Sequence, residues 1–278
     1  MNTGFSPDGL PPRAKKSLGQ NFLQDKNIAR KIVETLHISS TDSVVEVGPG
    51  PGALTGFLLE KSPKRLLLVE KDAHWARERQ GSGNGTTHLQ AVNADALEID
   101  WSRFVEPWKC IGNLPYNVAS PLMWEIFSRM RGLARAVFMI QKEVGQRITA
   151  MPGTSAYGAL SVWIQTFMVP KLEFIVPPQV FHPRPKIDSA VLSFEPLAEA
   201  PGQDACEALA TALHLCFQQR RKQLGTILKH TGLREHEVPE KAGIAFTLRP
   251  ERLTPKQFMH LALALRSRRT GRTNGAAT

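Results

Sequence analysis

Short apolar runs and helical patterns alternate regularly in the middle of the chain. Each run is rich in Val, Ile, Leu or Ala and is followed by a turn or by apolar residues at helical spacing. Five such runs, each with its following segment, occupy residues 43–61, 64–72, 89–100, 108–116 and 134–148. The alternation predicts an α/β fold, in which a mostly parallel sheet is covered by helices on both faces.

Polar residues follow these predicted strands at the point where each strand ends. Glycines follow the first strand, Glu70 the second, Asp95 the third and Asn113 the fourth. In sheets of this kind, ligands bind beyond the carboxyl ends of the strands. The sequence therefore predicts one binding site at this edge of the sheet.

The pattern changes in the C-terminal half of the chain. Residues 160–178 and 189–197 are typical of two further strands without an intervening helix, which predicts an antiparallel pair at the sheet edge. From Glu207 onward, apolar residues recur at helical spacing. The predicted segments are a sheet domain over 1–196 that begins with a basic arm at 1–20, a helical domain over 204–265, and a disordered basic tail over 266–278.

Positive charge is concentrated near the C-terminus. The chain has a net charge of +10, and residues 201–278 hold 13 Lys and Arg against 6 Asp and Glu, a net charge of +7. A basic protein usually binds a polyanion, and nucleic acid is the common partner. The predicted RNA-binding residues, which would contact phosphates, are Lys15, Lys16, Arg220, Arg221 and Lys222. The alternative for each is a solvated helix face or arm.

Cysteine usage and hydropathy restrict the location of the protein. Cys110, Cys206 and Cys216 form no CxxC pair, which argues against a disulfide scaffold or a zinc site and fits a reducing compartment. No apolar run reaches the roughly 18 residues of a membrane span. The first residues also lack the apolar segment of a secretory signal. We expect a cytoplasmic protein with neither a metal site nor a membrane partner.

A glycine turn follows the first predicted strand. Gly48, Gly50 and Gly52 form a GxGxG pattern, in which glycines allow a tight turn and a close approach of a ligand to the backbone. Glu70 lies 20 residues past Gly50, where a carboxylate accepts hydrogen bonds from ribose hydroxyls. The pattern indicates a cofactor with an adenosine moiety, against the alternative of a purely structural turn. It does not separate a dinucleotide from S-adenosylmethionine (SAM).

Two details favour SAM. Pro49 and Pro51 remove backbone donors at positions where a pyrophosphate would need them, and SAM has no phosphate. Asp95 in "NADAL" is placed to accept from an adenine amino group, although it could instead cap a turn.

Seven sequence blocks occur in an order that resembles one known family. They are residues 15–25, 44–55, 93–97, 111–121, 152–162, 176–191 and 220–224. Together they resemble the ribosomal RNA adenine dimethylase family, and most closely its small-subunit rRNA dimethyladenosine transferase branch. The resemblance covers roughly residues 13–265, and several ordered blocks are far more specific than one motif.

The resemblance implies a Rossmann-like SAM-dependent methyltransferase sheet with a small all-helical C-terminal domain. It also implies dimethylation of N6 on two adjacent adenines of a hairpin near the 3′ end of small-subunit rRNA, within a pre-assembled subunit. We expect a monomer. At Ser155 many relatives are expected to carry a basic residue, which weakens the case for an RNA contact there. By resemblance, the SAM site is lined by Asn21, Leu23, Gly48, Glu70, Asp95 and Asn113.

The segment "NLPY" that follows the fourth strand fits the chemistry of amine methylation. The side-chain oxygen of Asn113 and the carbonyl of Leu114 would accept hydrogen bonds from the N6 protons of adenine, and Pro115 would fix the turn that lets them converge. Tyr116 offers a ring on which the base can stack. Phe181 is a candidate for the opposite face of the base, with a place in the core as the alternative.

Two other functions are compatible with the sequence. One is a large-subunit rRNA adenine methyltransferase of the macrolide-resistance type, although the wording "LGQNFL" and "GPGPGALT" favours the small-subunit branch. The other is a binding protein on the same fold, an assembly or transcription factor whose catalysis is secondary. The presence of Asn113 and Glu70 favours retained catalysis.

Overall fold

The computed structural model describes residues 20–80, 85–199 and 201–274 of the 278-residue chain. The chain divides into two compact units. The sheet unit comprises Met1–Gly145 and Pro170–Pro196, and the helical unit comprises Gln146–Val169 and Leu197–Thr278. Within the described ranges, no helix is long and apolar enough to cross a membrane, and no group of three or more His, Cys, Asp or Glu side chains could hold a metal ion.

Strands and helices alternate through the first half of the chain. The strands are β1 Phe22–Leu23, β2 Ser43–Val47, β3 Arg65–Glu70, β4 His88–Asn93, β5 Trp108–Asn113, β6 Leu133–Gln141, β7 Met168–Val176, β8 Phe181–His182 and β9 Ser189–Pro196. The α-helices are α1 Lys26–Thr35, α2 Thr55–Glu60, α3 Ala73–Gln80, α4 Ala119–Arg129, α5 Lys142–Ile148, α6 Ala159–Phe167, α7 Gln203–Gln218, α8 Leu224–Leu228 and α9 Pro255–Asn274.

The main sheet has seven strands in the order β4-β3-β2-β5-β6-β9-β7. Strands β2 to β6 pair in parallel, and β9 pairs antiparallel with β6. The chain leaves β2 on one side through β3 and β4, and it returns on the other side as β5. A crevice opens at the carboxyl ends of the strands where the order reverses in this way. The topology therefore locates the ligand site beside β2 and β5.

Burial explains why these strands form the centre of the sheet unit. All five residues of β2 are buried, as expected for a parallel strand covered on both faces. Helix α1 packs its apolar stripe, including Ile32 and Val33, into the same core. Its first turn is capped by the Asp25 carboxylate, which accepts from the backbone N–H groups of Asn27 and Ile28 at 2.9 and 3.0 Å.

A second, two-stranded sheet joins distant parts of the sequence. β1 and β8 pair antiparallel, so that Leu23 lies opposite Phe181 and Phe22 opposite His182. The backbone N–H of Gln24 also donates to the carbonyl of Val180 at 2.8 Å. This pairing fixes the segment at residues 20–23 beside the main sheet.

The helical unit has its own core. Leu209, Leu213 and Leu261 are buried there, and the rings of Phe217 and Phe258 stack with centroids 5.5 Å apart. The Tyr157 hydroxyl donates to the carbonyl of Leu253 at 2.9 Å. The unit therefore combines α7 to α9 with the segment around α6.

The predicted pair of edge strands is correct only in part. β9 and β7 are neighbours at the edge of the sheet, but residues 159–167 form helix α6, and the strand begins at Met168. Periodicity alone cannot separate a buried strand from a buried helix in a short apolar run. The helix starts where the hydroxyl oxygen of Ser161 accepts from the Gly158 N–H at 3.0 Å.

The C-terminal end also differs from the prediction. Helix α9 continues through Asn274, so the prediction of a disordered tail is wrong for residues 266–274. Ion pairs of Arg266 with Asp204, at 2.6 Å, and of Arg268 with Glu237 fasten this part of the helix. The helical unit also takes in 146–169, which lay in the predicted sheet domain. The predicted arm at 1–20 lies outside the described residues except for Gln20.

Candidate functional site

A cavity of about 150 Å³ opens at the carboxyl ends of β2, β3 and β5, where the strand order reverses. Its wall includes every residue predicted to bind the cofactor and the whole NLPY segment. These residues are Asn21, Leu23, Gly48, Gly50, Glu70, Asp95, Asn113, Leu114, Pro115 and Tyr116. The structure thus brings together residues from five separate stretches of sequence, and their roles remain predictions.

The glycine turn after β2 has a backbone that other residues adopt only with strain. The φ angles of Gly48, Gly50 and Gly52 are 67°, 50° and 90°. A Cβ atom at Gly50 would lie 3.2 Å from the ring of Phe22, and one at Gly52 would overlap the guanidinium of Arg79. The turn therefore needs glycine for both its backbone angles and its close packing.

All three glycine amides of this turn are already hydrogen-bonded within the protein. The distances are 2.9 Å from Gly48 N to Val69 O, 2.9 Å from Gly50 N to Glu70 Oε2, and 2.9 Å from Gly52 N to Pro49 O. The two prolines between them have no N–H group. A pyrophosphate cradle requires free backbone donors, so this turn does not offer one.

Glu70 ends β3 and connects the turn to the cavity. Its carboxylate accepts from the N–H groups of Gly50 at 2.9 Å and Asp72 at 2.8 Å. Burial raises the pKa of this carboxyl, and the two backbone hydrogen bonds oppose that rise. Each carboxylate oxygen has a second lone pair, so Glu70 can still accept from hydroxyl groups in the cavity.

Asp95 lines the cavity next to a lysine. Lys71 Nζ is 2.5 Å from Asp95 Oδ2, and this hydrogen bond lowers the pKa of the Asp95 carboxyl. The other carboxylate oxygen accepts from the Leu97 N–H at 3.0 Å. Asp95 therefore caps a turn and lines the cavity at once, so the two interpretations from sequence are compatible.

The orientation of the Asn113 amide follows from its partner. Asn113 Nδ2 donates to the backbone carbonyl of Asn21 at 3.0 Å. Because a carbonyl cannot donate, the atom that faces it must be the NH₂ group, and Oδ1 is left as an acceptor. The next residue, Leu114, donates its N–H to the Met139 carbonyl at 3.0 Å. In the described part of the chain, no hydrogen bond ends on the Leu114 carbonyl.

Tyr116 is held by its hydroxyl group. Its oxygen lies 2.7 Å from Oγ of Ser189, the first residue of β9. The ring is half-buried, and burial raises the pKa of the phenol. The Pro115 carbonyl accepts from the N–H groups of Val118 and Ala119, which begins α4 directly after the turn. Two acceptors and a fixed aromatic ring thus stand together at the end of β5.

Residues 12–266 match the family model described as ribosomal RNA adenine dimethylase. The chain belongs to the ribosomal RNA adenine dimethylase family. It is 56% identical over 260 residues to the ribosomal RNA small subunit methyltransferase A of Nitratidesulfovibrio vulgaris, an alignment that covers 92% of this chain and 98% of the relative. The protein of the same name from Oleidesulfovibrio alaskensis is 55% identical over 262 residues, 92% of each chain. The resemblance seen in the sequence blocks is confirmed.

Two solved structures confirm the fold predicted for this dimethylase. A dimethyladenosine transferase from Plasmodium falciparum matches with a TM-score of 0.70 and 24% identity, covering 89% of this chain and 98% of that one. The 23S rRNA methyltransferase ErmE matches with a TM-score of 0.67 and 24% identity, covering 88% of this chain and 100% of that one. At this identity, both show a shared α/β methyltransferase fold with C-terminal helices and nothing about substrate.

Phe181 is the one predicted catalytic residue of the dimethylase that does not line the cavity. It is 4% exposed and belongs to the core of the sheet unit. It pairs opposite Leu23 in the β1–β8 ladder, and both residues belong to that core. The structure therefore favours the alternative of a core residue, and stacking of Phe181 on the base stays a prediction.

The predicted RNA-binding residues of the dimethylase lie in different settings. Lys15 and Lys16 are outside the described residues. Arg220 donates to the carbonyls of Thr154 and Ser155 at 3.3 and 2.7 Å, so it holds the segment in which the sequence departs from the expected family pattern. The side chains that follow it, Arg221 and Lys222, are exposed.

Several residues that shape the site were not predicted from sequence. Ser189 and Phe22 lie within the blocks that resemble the family but were assigned no role, and only the fold reveals the contact of Ser189 with Tyr116 and of Phe22 with Gly50. Glu46 did carry a signal, because a carboxylate inside the apolar run "VVEV" is unusual. It is 1% exposed and accepts from the Thr55 hydroxyl at 2.7 Å, and burial raises its pKa to about 7.

Proposed function

We propose that this chain transfers methyl groups from SAM to N6 of two adjacent adenines in a hairpin near the 3′ end of small-subunit rRNA, two to each adenine. The observation that carries the proposal is the pair of unengaged acceptors, Asn113 Oδ1 and the Leu114 carbonyl, beside the ring of Tyr116. The choice of the small subunit rests on the relatives at 55–56% identity, which are ribosomal RNA small subunit methyltransferases A.

The cavity fits SAM as the methyl donor. All three glycine N–H groups of the turn already donate hydrogen bonds within the protein, which suits a cofactor without phosphates. Glu70 would accept from the ribose hydroxyls, Asp95 from the adenine amino group, and Leu97 lines the wall beside it as an apolar surface. When bound, SAM supplies a methyl group on a positively charged sulfur, which is open to displacement by an amine.

The residues at the end of β5 prepare the target amine. The lone pair of adenine N6 is delocalised into the ring, so the amine is a poor nucleophile. Hydrogen bonds from its two protons to Asn113 Oδ1 and the Leu114 carbonyl would favour a tetrahedral nitrogen and stabilise the charge that develops on it. Stacking on Tyr116 would contribute about 1–3 kcal/mol to holding the base. The proton then leaves to solvent.

Dimethylation changes the demands on the site between the two transfers. The monomethylated amine keeps one proton, so the second transfer retains only one of the two hydrogen bonds to Asn113 and Leu114. Other contacts must then contribute more to orienting the base. Tyr116 is the aromatic residue of the NLPY segment on the cavity wall.

The RNA substrate sets two further requirements. A base inside a stack cannot enter the cavity, so the target adenines must be unpaired or extruded. Arg221 and Lys222 would contact phosphates, and their contribution should weaken as salt increases. We place the activity on a pre-assembled small subunit in the cytoplasm, with the enzyme acting as a monomer. Buried thiols at Cys110, Cys206 and Cys216, none of them in a disulfide, fit a reducing compartment.

The test is methyl transfer from tritiated SAM to small and large ribosomal subunits purified from a strain that lacks this methylation. Dimethyladenosine should appear in small-subunit rRNA alone, and label in the large subunit would support the macrolide-resistance type instead. Complementation of the same strain with Asn113→Ala separates the third possibility. Full rescue of growth by this inactive variant would favour a binding factor whose catalysis is secondary.

A further inference from the structure

The NLPY segment is fastened to the sheet at two points. The Leu114 N–H bonds to the Met139 carbonyl of β6 at 3.0 Å, and this bond fixes the backbone. The Tyr116 hydroxyl bonds to Ser189 Oγ at 2.7 Å, and this bond fixes the ring. The first hydrogen bond joins main-chain atoms, so most substitutions preserve it. The second depends on the side chains of both Tyr116 and Ser189.

Ser189 is a firm support for that ring. It is fully buried and begins β9, where it pairs with Gln141 at the end of β6. The residues next to this pair also connect the end of β6 to the start of β9. The Lys142 N–H donates to the Asp188 carbonyl at 3.1 Å, and its ammonium lies 3.0 Å from the Asp188 carboxylate. The hydroxyl of Ser189 therefore has a fixed position relative to the sheet that carries Asn113.

We propose that Ser189 is a positioning residue that holds the Tyr116 ring and thereby determines how efficiently the second methyl group is added. The inference rests on the proposed function and deepens it. In the first transfer, two hydrogen bonds to Asn113 and Leu114 orient the amine, and the ring adds to them. In the second transfer one of those bonds is lost, so a fixed ring supplies a larger share of the orientation. A loose ring should therefore slow the second step more than the first.

The test compares Ser189→Ala with Ser193→Ala as a matched control. Ser193 lies on the same strand, is 3% exposed, and donates its hydroxyl to Glu173 Oε1 at 2.6 Å. Neither Ser193 nor Glu173 is part of the cavity wall. Both variants lose one buried hydroxyl from β9, so they should lose similar stability. The Ser189 variant alone should change the products.

The measurement is the ratio of N6-monomethyladenosine to N6,N6-dimethyladenosine in small-subunit rRNA during a single-turnover series. We expect Ser189→Ala to lower the rate of the second transfer about two- to tenfold relative to the first, the range for loss of one hydrogen bond. Its KM for SAM should stay near that of the wild type. Ser193→Ala should give the wild-type ratio.

Tyr116→Phe tests the same bond from its other end and serves if Ser189→Ala does not fold. It keeps the ring and removes the hydroxyl, so it should raise the monomethyl fraction in the same way. The double variant should be no worse than either single one, because both remove one interaction. A wild-type ratio in folded Ser189→Ala or in Tyr116→Phe would overturn the inference. A wild-type protein that methylates no rRNA adenine would instead overturn the proposed function.

Discussion

Replacement of Asn113 by alanine tests the acceptor half of the site most directly. The amide has two tasks that can be measured separately. Its Nδ2 donates to the Asn21 carbonyl at 3.0 Å, which ties β5 to the segment before β1, and its Oδ1 is left to accept from the target amine. The variant should therefore lose some stability and nearly all catalysis.

The two losses have different sizes. One hydrogen bond between a side chain and a backbone carbonyl stabilises the folded protein by about 0.5–1.5 kcal/mol. A preorganised group that acts on charge developing in the transition state is worth about 100- to 1,000-fold in kcat when it is removed. Asn113 is also predicted to line the SAM site, but the ribose and adenine contacts are assigned to Glu70 and Asp95, so the dissociation constant of SAM should rise less than kcat falls.

Asn93 provides the matched control. It is the last residue of β4, as Asn113 is the last residue of β5, and its Nδ2 donates to the carbonyls of Glu70 and Lys71 at 2.9 and 3.0 Å. It is not part of the cavity wall. Asn93→Ala should lose comparable stability in thermal unfolding and should keep kcat within about threefold of the wild type, since it removes no group that faces the amine.

The assay is single-turnover methyl transfer to small subunits with saturating SAM, alongside thermal unfolding of each variant. If Asn113→Ala folds and turns over within tenfold of the wild type, the amide oxygen does not orient the amine and the acceptor mechanism is wrong. If Asn93→Ala loses as much activity as Asn113→Ala, the effect comes from damage to the strand ends rather than from chemistry.

Three further predictions concern the cofactor side of the cavity. Glu70→Ala should raise the SAM dissociation constant in calorimetry about 10- to 100-fold, the range for lost hydrogen bonds to a charged group, and an unchanged constant would contradict the ribose role. Gly50→Ala should lower Tm by several degrees, because φ is 50° and the new Cβ would crowd Phe22, and a wild-type Tm would show that the turn relaxes. Burial raises the pKa of Glu46 from 4.5 to about 7, so the folded state holds a proton that the unfolded chain has lost. Stability should therefore fall as pH rises from about 4.5 to 7, by roughly 3 kcal/mol from this group, and Glu46→Gln should flatten that slope in denaturant titrations across the same window.

The sheet and the position of the site could be predicted because they depend on local patterns. Apolar runs that alternate with helices specify a parallel sheet, and polar residues at strand ends must meet at one edge. Glu70, Asp95 and Asn113 were located in this way, and all three line the cavity. The same reasoning fails for α6, since nine apolar-rich residues suit either a strand or a buried helix.

Contacts between distant segments could not be predicted from local patterns. Phe181 lies in a motif rich in proline, and only its burial in the folded chain shows that it packs in the core. The sequence assigned no role to Ser189, because its contact with the Tyr116 hydroxyl comes from the register that pairs β9 with β6. A single sequence shows which residue types lie at the strand ends. The partners that orient those residues are determined by the register between strands, which local patterns do not reveal.

The ionisable groups on the cavity wall already form ion pairs or hydrogen bonds within the protein, which argues against general-base catalysis. Lys71 is paired with Asp95, Glu70 accepts two backbone hydrogen bonds, and burial raises the pKa of Tyr116 and so keeps its hydroxyl protonated. None of these groups is positioned as a free base beside Asn113. Displacement at a methyl group by an amine needs alignment more than proton transfer, and here each functional oxygen is oriented by a partner on another segment.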